Sequence, residues 1–203
     1  MQKYLIVSLM LLGSGVLLAQ SPEAGREGKN LLQVGAEFSV FNPDFYCTSN
    51  SPVSCGTPGT SLLKGVGVVV DYNFLGRWGT EAEFRFLNWG GPAGHVESTD
   101  LIGPRYRLYR AGRLNLWGKF LVGRGGITTE YYGHPGFPVG DTFKGSLGAW
   151  ATGAAVDYRL TPRISARVDY EFQRWPGFAV LPPHNHGISP NGLSYGVVYT
   201  LLR

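Results

Sequence analysis

Apolar and polar positions alternate along most of this chain with a period of two, and no segment places its apolar residues three and four apart. That period is the signature of strands with two unlike faces. Eight such runs follow one another, at 31–41, 62–74, 79–89, 97–110, 114–125, 144–159, 163–175 and 192–202. The alternation is cleanest in the seventh, where Ile164, Ala166, Val168, Tyr170 and Phe172 oppose Ser165, Arg167, Asp169, Glu171 and Gln173. The first run sets Leu32, Val34, Ala36, Phe38 and Val40 against Gln33, Gly35, Glu37 and Ser39. In the second and sixth, Gly and Ala occupy much of the second face, and the alternation is weaker.

The connections are lopsided. Residues 75–78, 111–113 and 160–162 are tight turns, whereas 42–61, 90–96, 126–143 and 176–191 are long and rich in Gly, Pro and aromatic residues. Short and long alternate strictly, so in a meander all tight turns fall at one end and all long loops at the other. An even strand count with this asymmetry is the pattern of a bacterial outer-membrane barrel. The expected fold is therefore all-β, an eight-stranded antiparallel up-and-down transmembrane β-barrel covering 31–203, after a flexible leader at 20–30.

Parity leaves two solvents open. A soluble eight-stranded barrel would put the apolar face inside around a ligand pocket; a membrane barrel would invert it. Aromatic placement favours the inverted form. Tyr72, Phe74, Trp78, Tyr158 and Tyr199 fall near the short-turn ends, and Phe41, Trp89 and Trp175 near the long-loop ends. Two such bands resemble interfacial girdles, and runs of about 11 to 14 residues suit a tilted bilayer crossing.

On that assignment Glu37, Asp71, Glu81, Glu83, Asp157, Asp169 and Glu171 face the lumen, opposed by Arg85, Arg105, Arg107, Lys119, Arg159 and Arg167. Near-neutrality is required, because an unpaired buried charge is costly. The expected core is a mid-height ion-pair ladder of Glu37, Glu83, Arg85, Arg105, Lys119, Arg167 and Asp169. Eight strands leave room for side chains and little else, so the ladder is read as a structural filling rather than a conducting path.

Composition agrees. Of 203 residues, 43% are hydrophobic and 16% charged, which excludes a disordered chain. Thirty glycines show no collagen period; those inside strands suit tight curvature. Met1 to Ala19 has a basic start and a short apolar run ending in a small residue, which reads as a signal peptide cut after Ala19. Cys47 and Cys55 lie in the first long loop. In an exported protein the pair reads as a disulfide, worth roughly 2–3 kcal/mol in the chain-entropy model.

The runs containing Gly103-Pro104-Arg105-Tyr106-Arg107-Leu108, Gly153-Ala154-Ala155-Val156-Asp157-Tyr158-Arg159-Leu160-Thr161-Pro162 and Arg167-Val168-Asp169-Tyr170 resemble the OmpA-like eight-stranded outer-membrane barrel family. The last run resembles that family's insertion signal, with Gly196, Tyr199 and Leu201 at its marked positions, although the chain ends Leu202-Arg203 rather than in an aromatic residue. The resemblance covers the barrel domain only. It implies a cell outer membrane of Gram-negative type, lipid as solvent and the barrel-assembly machinery as the partner during insertion. It carries no ligand.

Chemistry is sparse. The four histidines, His95, His134, His184 and His186, all fall in long loops. A base at His184 or His186 with Ser189 as nucleophile would need an orienting carboxylate, and residues 176–191 contain none. Gly123-Arg124-Gly125-Gly126 lacks the Lys and Ser/Thr of a phosphate loop. The net charge of +4 does not indicate nucleic acid, because Arg77, Arg110, Arg113, Arg159, Arg163 and Arg203 gather at the short-turn end, where they meet headgroups or solvent. No catalytic, cofactor or metal site is expected. The aromatic long loops suit recognition on a rigid scaffold. The expected role is structural or adhesin-like, as a monomer, with a host, phage or matrix ligand as the partner of the loops. A narrow channel is the alternative, followed by a lipid-modifying enzyme and a soluble ligand-binding barrel.

Overall fold

The computed structural model describes residues 31–43, 62–89, 95–130, 142–176 and 187–202. Eight strands follow in order: β1 (Leu31–Asn42), β2 (Leu63–Leu75), β3 (Trp78–Trp89), β4 (Val96–Ala111), β5 (Leu114–Glu130), β6 (Thr142–Arg159), β7 (Ile164–Arg174) and β8 (Asn191–Leu202). Each pairs antiparallel with its sequence neighbours, and β8 returns to β1 to close the barrel. Closure satisfies the backbone groups that an open edge would leave unpaired, a requirement in lipid. No helix occurs among the described residues.

Tight turns set the register at the short end. Leu75 pairs with Trp78 and Ala111 with Leu114, leaving two-residue loops. Gly76 and Gly112 lead these loops at φ of 52° and 53°, the left-handed conformation such turns require.

Outward positions form an apolar belt. In β7 it runs from Ile164 to Phe172. Nine residues at about 3.3 Å each, tilted by about 40°, span about 23 Å, close to the height of a bilayer-facing band. Above it the outward positions turn polar, at Asn42, Lys64, Asn88, Asp100, Arg124, Arg174 and Asn191. Val66, Phe84, Phe86, Ile102, Phe120, Val168, Tyr195 and Val197 are exposed on the belt. An apolar surface this continuous is untenable in water, so the soluble-pocket alternative fails on orientation. At the height of the belt the charged side chains line the lumen.

β4, β5 and β6 are the longest strands, at 16, 17 and 18 residues, and β5–β6 pairing persists to Glu130↔Thr142. The expected ends at 125 and 144 are thus corrected outward. Gly126, read as a loop residue, pairs with Ser146, and Gly125, the expected last residue of the strand, pairs with Leu147. A Cβ at Gly125 would lie 2.5 Å from the Trp175 ring; this glycine makes room for a neighbour instead of breaking a strand.

A sealed lumen as the candidate functional site

The lumen is built in floors. At the short-turn end, neutral polar groups meet: Asn73 Nδ2 donates to Gln33 Oε1 at 3.0 Å, and Gln33 Nε2 donates to Thr200 Oγ1 at 3.3 Å. Next comes an arginine cluster. Arg167 donates from Nε to Asp157 at 2.6 Å and from Nη2 to Asp71 at 2.6 Å. Arg105 pairs with Asp71, with Glu81 at 3.2 Å and with Asp157 at 3.4 Å. Its guanidinium stacks 4.0 Å from the Trp117 ring centroid.

Glu81 links this cluster to the one above, where Lys119 sits among four carboxylates. Its ammonium lies 2.9 Å from Glu81, 3.1 Å from Glu83 and 2.9 Å from Glu171, and also binds Asp169. Oxygens of Glu81, Glu83 and Asp169 lie within 4.8 Å of one another, a spacing that suits a metal ion. The Lys119 ammonium occupies their midst, so the cation among these carboxylates is the chain's own. Arg85 completes the floor, at 2.8 Å from Glu83 and 3.0 Å from Glu171.

The fourth floor is chiefly apolar, with buried Glu97 between Leu87 and Ile127 as its exception. Phe41, Leu63 and Leu87 pack at one side, and Leu101, Leu121, Ile127, Ala149, Ala151, Trp175 and Ile188 at the other. A hydrogen-bonded relay ties this cap to the ions: Trp175 Nε1 donates to Gln173 at 2.9 Å, and Gln173 Nε2 donates to Glu171 at 2.6 Å. The Arg85 guanidinium lies 4.2 Å from the Phe41 ring centroid, so cation and cap are in direct contact.

The seven residues of the expected ladder all sit buried in the lumen, and six of them join ion pairs. Glu37 does not. It is 4% exposed, and neither carboxylate oxygen has a hydrogen-bond partner among the described residues. Its neighbour across the seam is Gly196, which offers no side chain. Asp71, Glu81, Asp157 and Glu171, outside the expected ladder, carry much of the actual network. Their parity was visible in the sequence; their heights were not.

The expected near-neutrality is also corrected. Among the described residues the fully buried acids are Glu37, Asp71, Glu81, Glu83, Glu97, Asp157, Asp169 and Glu171, eight against the four cations Arg85, Arg105, Lys119 and Arg167. Arg107 and Arg159 are only half-buried at the short-turn end. Glu97 was missed, and His95, assigned to a loop, is buried beside it with Nε2 at 3.5 Å from the carboxylate. Phe41 and Trp175, assigned to the outer girdle, point inward and are each 1% exposed. Trp89 remains outside, stacked on Phe38 with ring centroids 6.3 Å apart.

Of the positions expected to form an insertion signal, Gly196 lies on the closing seam, where a Cβ would meet the Ala36 carbonyl oxygen at 2.1 Å. Tyr199 and Leu201 face outward. Ser189 Oγ accepts a hydrogen bond from Arg174 Nη1 at 2.6 Å, contact with a permanent cation that supplies no base. Residues 1–30, Cys47, Cys55, His134, His184 and His186 lie outside the described residues.

No protein-family model matches the sequence, and no curated protein matches it. Solved structures do. Neisserial surface protein A is similar at a TM-score of 0.60 and 10% identity, over 85% of this chain and 97% of that one. The attachment invasion locus protein Ail of Yersinia pestis, solved in complex with the heparin analogue sucrose octasulfate, is similar at 0.51 and 18%, over 86% and 99%. The outer membrane protein OprG of Pseudomonas aeruginosa gives 0.50 and 14%, over 87% and 98%. At such identities the likeness is one of fold. Taken with the lipid-facing belt, the closed topology gives this chain the fold of the small, OmpA-like, eight-stranded outer-membrane barrels.

Proposed function

We propose that this protein is a non-conducting barrel of a Gram-negative outer membrane, exported by a signal peptide at 1–19 and inserted by the barrel-assembly machinery. Its lumen serves as a structural core, and its work is done outside, by the long loops and the β4–β6 extension above the belt. One observation carries this reading: an ionic network and then an apolar cap occupy the lumen in series. An ion crossing it would have to displace buried, mutually paired charges and then enter an apolar layer, both costly steps. That favours a surface-interaction role over the channel alternative. A rigid barrel with long loops at one end also suits recognition, because the scaffold holds binding residues at little entropic cost.

Reconstitution in planar bilayers tests the sealed lumen. Heat-modifiable, folded protein is expected to give no discrete conductance steps; regular steps would overturn the reading. For the surface role, cells displaying the intact barrel are expected to adhere to extracellular-matrix proteins more than cells in which residues 131–141 are replaced by a short linker. Equal adherence to every surface tried would count against it.

A further inference from the structure

The belt is not uniform at the short-turn end. Between β2, β3 and β4 its outer face carries a shallow groove of about 460 Å³, lined by Phe74, Trp78, Gly79, Thr80, Gly103 and Pro104. Thr80 and Pro104 face each other across the β3–β4 ladder, and the two glycines add only backbone. Small groups therefore form the floor, while Phe74 and Trp78 stand as walls. Trp78 is itself propped by Tyr106, with ring centroids 4.8 Å apart.

Charge at this end has one sign. Arg77, on the turn that precedes Trp78, is exposed, as are Arg110, Arg113 and Arg163. Among the described residues no exposed carboxylate lies at this end. Arg77 is held beside β4, because its carbonyl accepts the Arg107 amide at 2.7 Å. An apolar groove within the belt, with a basic rim at headgroup level, matches a molecule that is apolar along its length and anionic at one end.

We propose that this groove is a binding site for an anionic phospholipid of the leaflet at the short-turn end. One acyl chain lies over Thr80 and Pro104, between Phe74 and Trp78, and the phosphate is held by Arg77. The tail gains contact with the walls that a flat lipid-facing surface would not give. The headgroup gains from basic residues near the membrane surface. Arg163 has equal charge but a different setting, donating to the Tyr199 hydroxyl at 3.3 Å away from the groove. It therefore separates a site from general surface charge.

The test uses the whole barrel in nanodiscs of equal phosphatidylglycerol and phosphatidylcholine, with lipids retained on the ejected protein counted by native mass spectrometry. Wild type is expected to retain phosphatidylglycerol in preference. Arg77→Gln should lower that retention, by about fivefold at most, while Arg163→Gln leaves it unchanged. Thr80→Trp should lower retention with every arginine intact. Heat-modifiability on gels certifies that each variant is folded, and Thr80→Trp and Arg77→Gln decide the matter independently of each other. Equal retention of the two lipids by wild type would overturn the site. So would an Arg163→Gln effect as large as that of Arg77→Gln, or retention unaltered by Thr80→Trp.

Discussion

Two adjacent floors of one lumen solve the same filling problem with opposite chemistry. The ionic floor places Lys119 among Glu81, Glu83, Asp169 and Glu171; the cap above it packs Trp175 and Ile188 against Leu101, Leu121 and Ile127. In the ionic floor the paired charges are tolerated because opposite charges meet them, with Lys119 shared by four carboxylates, so the network stands or falls as a unit. In the cap, close packing does the work and the cost of a change scales with the volume removed. The ionic floor specifies register, since a one-residue slip of any strand would turn its charges toward lipid. The cap specifies only volume, but it keeps water and ions away from the floor beneath.

The sharpest way to break this contrast is Lys119→Met, which leaves four carboxylates facing one another without their shared cation. It is expected to cost about 3–5 kcal/mol or to prevent folding, read from the urea midpoint of the heat-modifiable band in lipid vesicles. A midpoint within experimental error of wild type would refute the network as a stabilising unit. Trp175→Ala attacks the cap and is expected to cost about 3 kcal/mol while leaving a folded barrel. A loss well below about 1 kcal/mol would mean that the cap is not packed as described.

The smallest expected effect sharpens the comparison within the ionic floor itself. Glu37 is buried beside the network but hydrogen-bonded to none of it. Glu37→Gln exchanges a carboxyl for a near-isosteric amide without breaking a pair, so it should shift stability by under about 1 kcal/mol, in either direction. A loss approaching that of Lys119→Met would show that Glu37 is a working member of the network.

How much of this was legible depends on the floor. Period-two alternation identified β1, β3 and β7 closely, and parity sent Arg85, Arg105, Lys119, Arg167 and their acids to one face. The cap broke that logic. Where Leu63, Leu87, Leu101 and Leu121 point inward, both faces of the strand are apolar and parity loses its contrast. Aromatics such as Phe41 and Trp175, close to loops, then look like girdle residues. Glu97 and His95 were hidden for a related reason, standing at a strand end where a loop boundary was drawn.

Strand number, the two unlike faces of each strand and the tight turns at Gly76 and Gly112 followed from the sequence by itself, because each depends on neighbours one to four residues apart; which face meets lipid was settled by the exposed belt. Which charge meets which was decided only by the closed barrel. Arg167 bonds Asp71 across 96 positions and Arg85 bonds Glu171 across 86. Those meetings depend on strand tilt and stagger, which set the height of every inward residue. Height is a property of the whole ring, and a pattern of period two carries the face of a residue but not its floor.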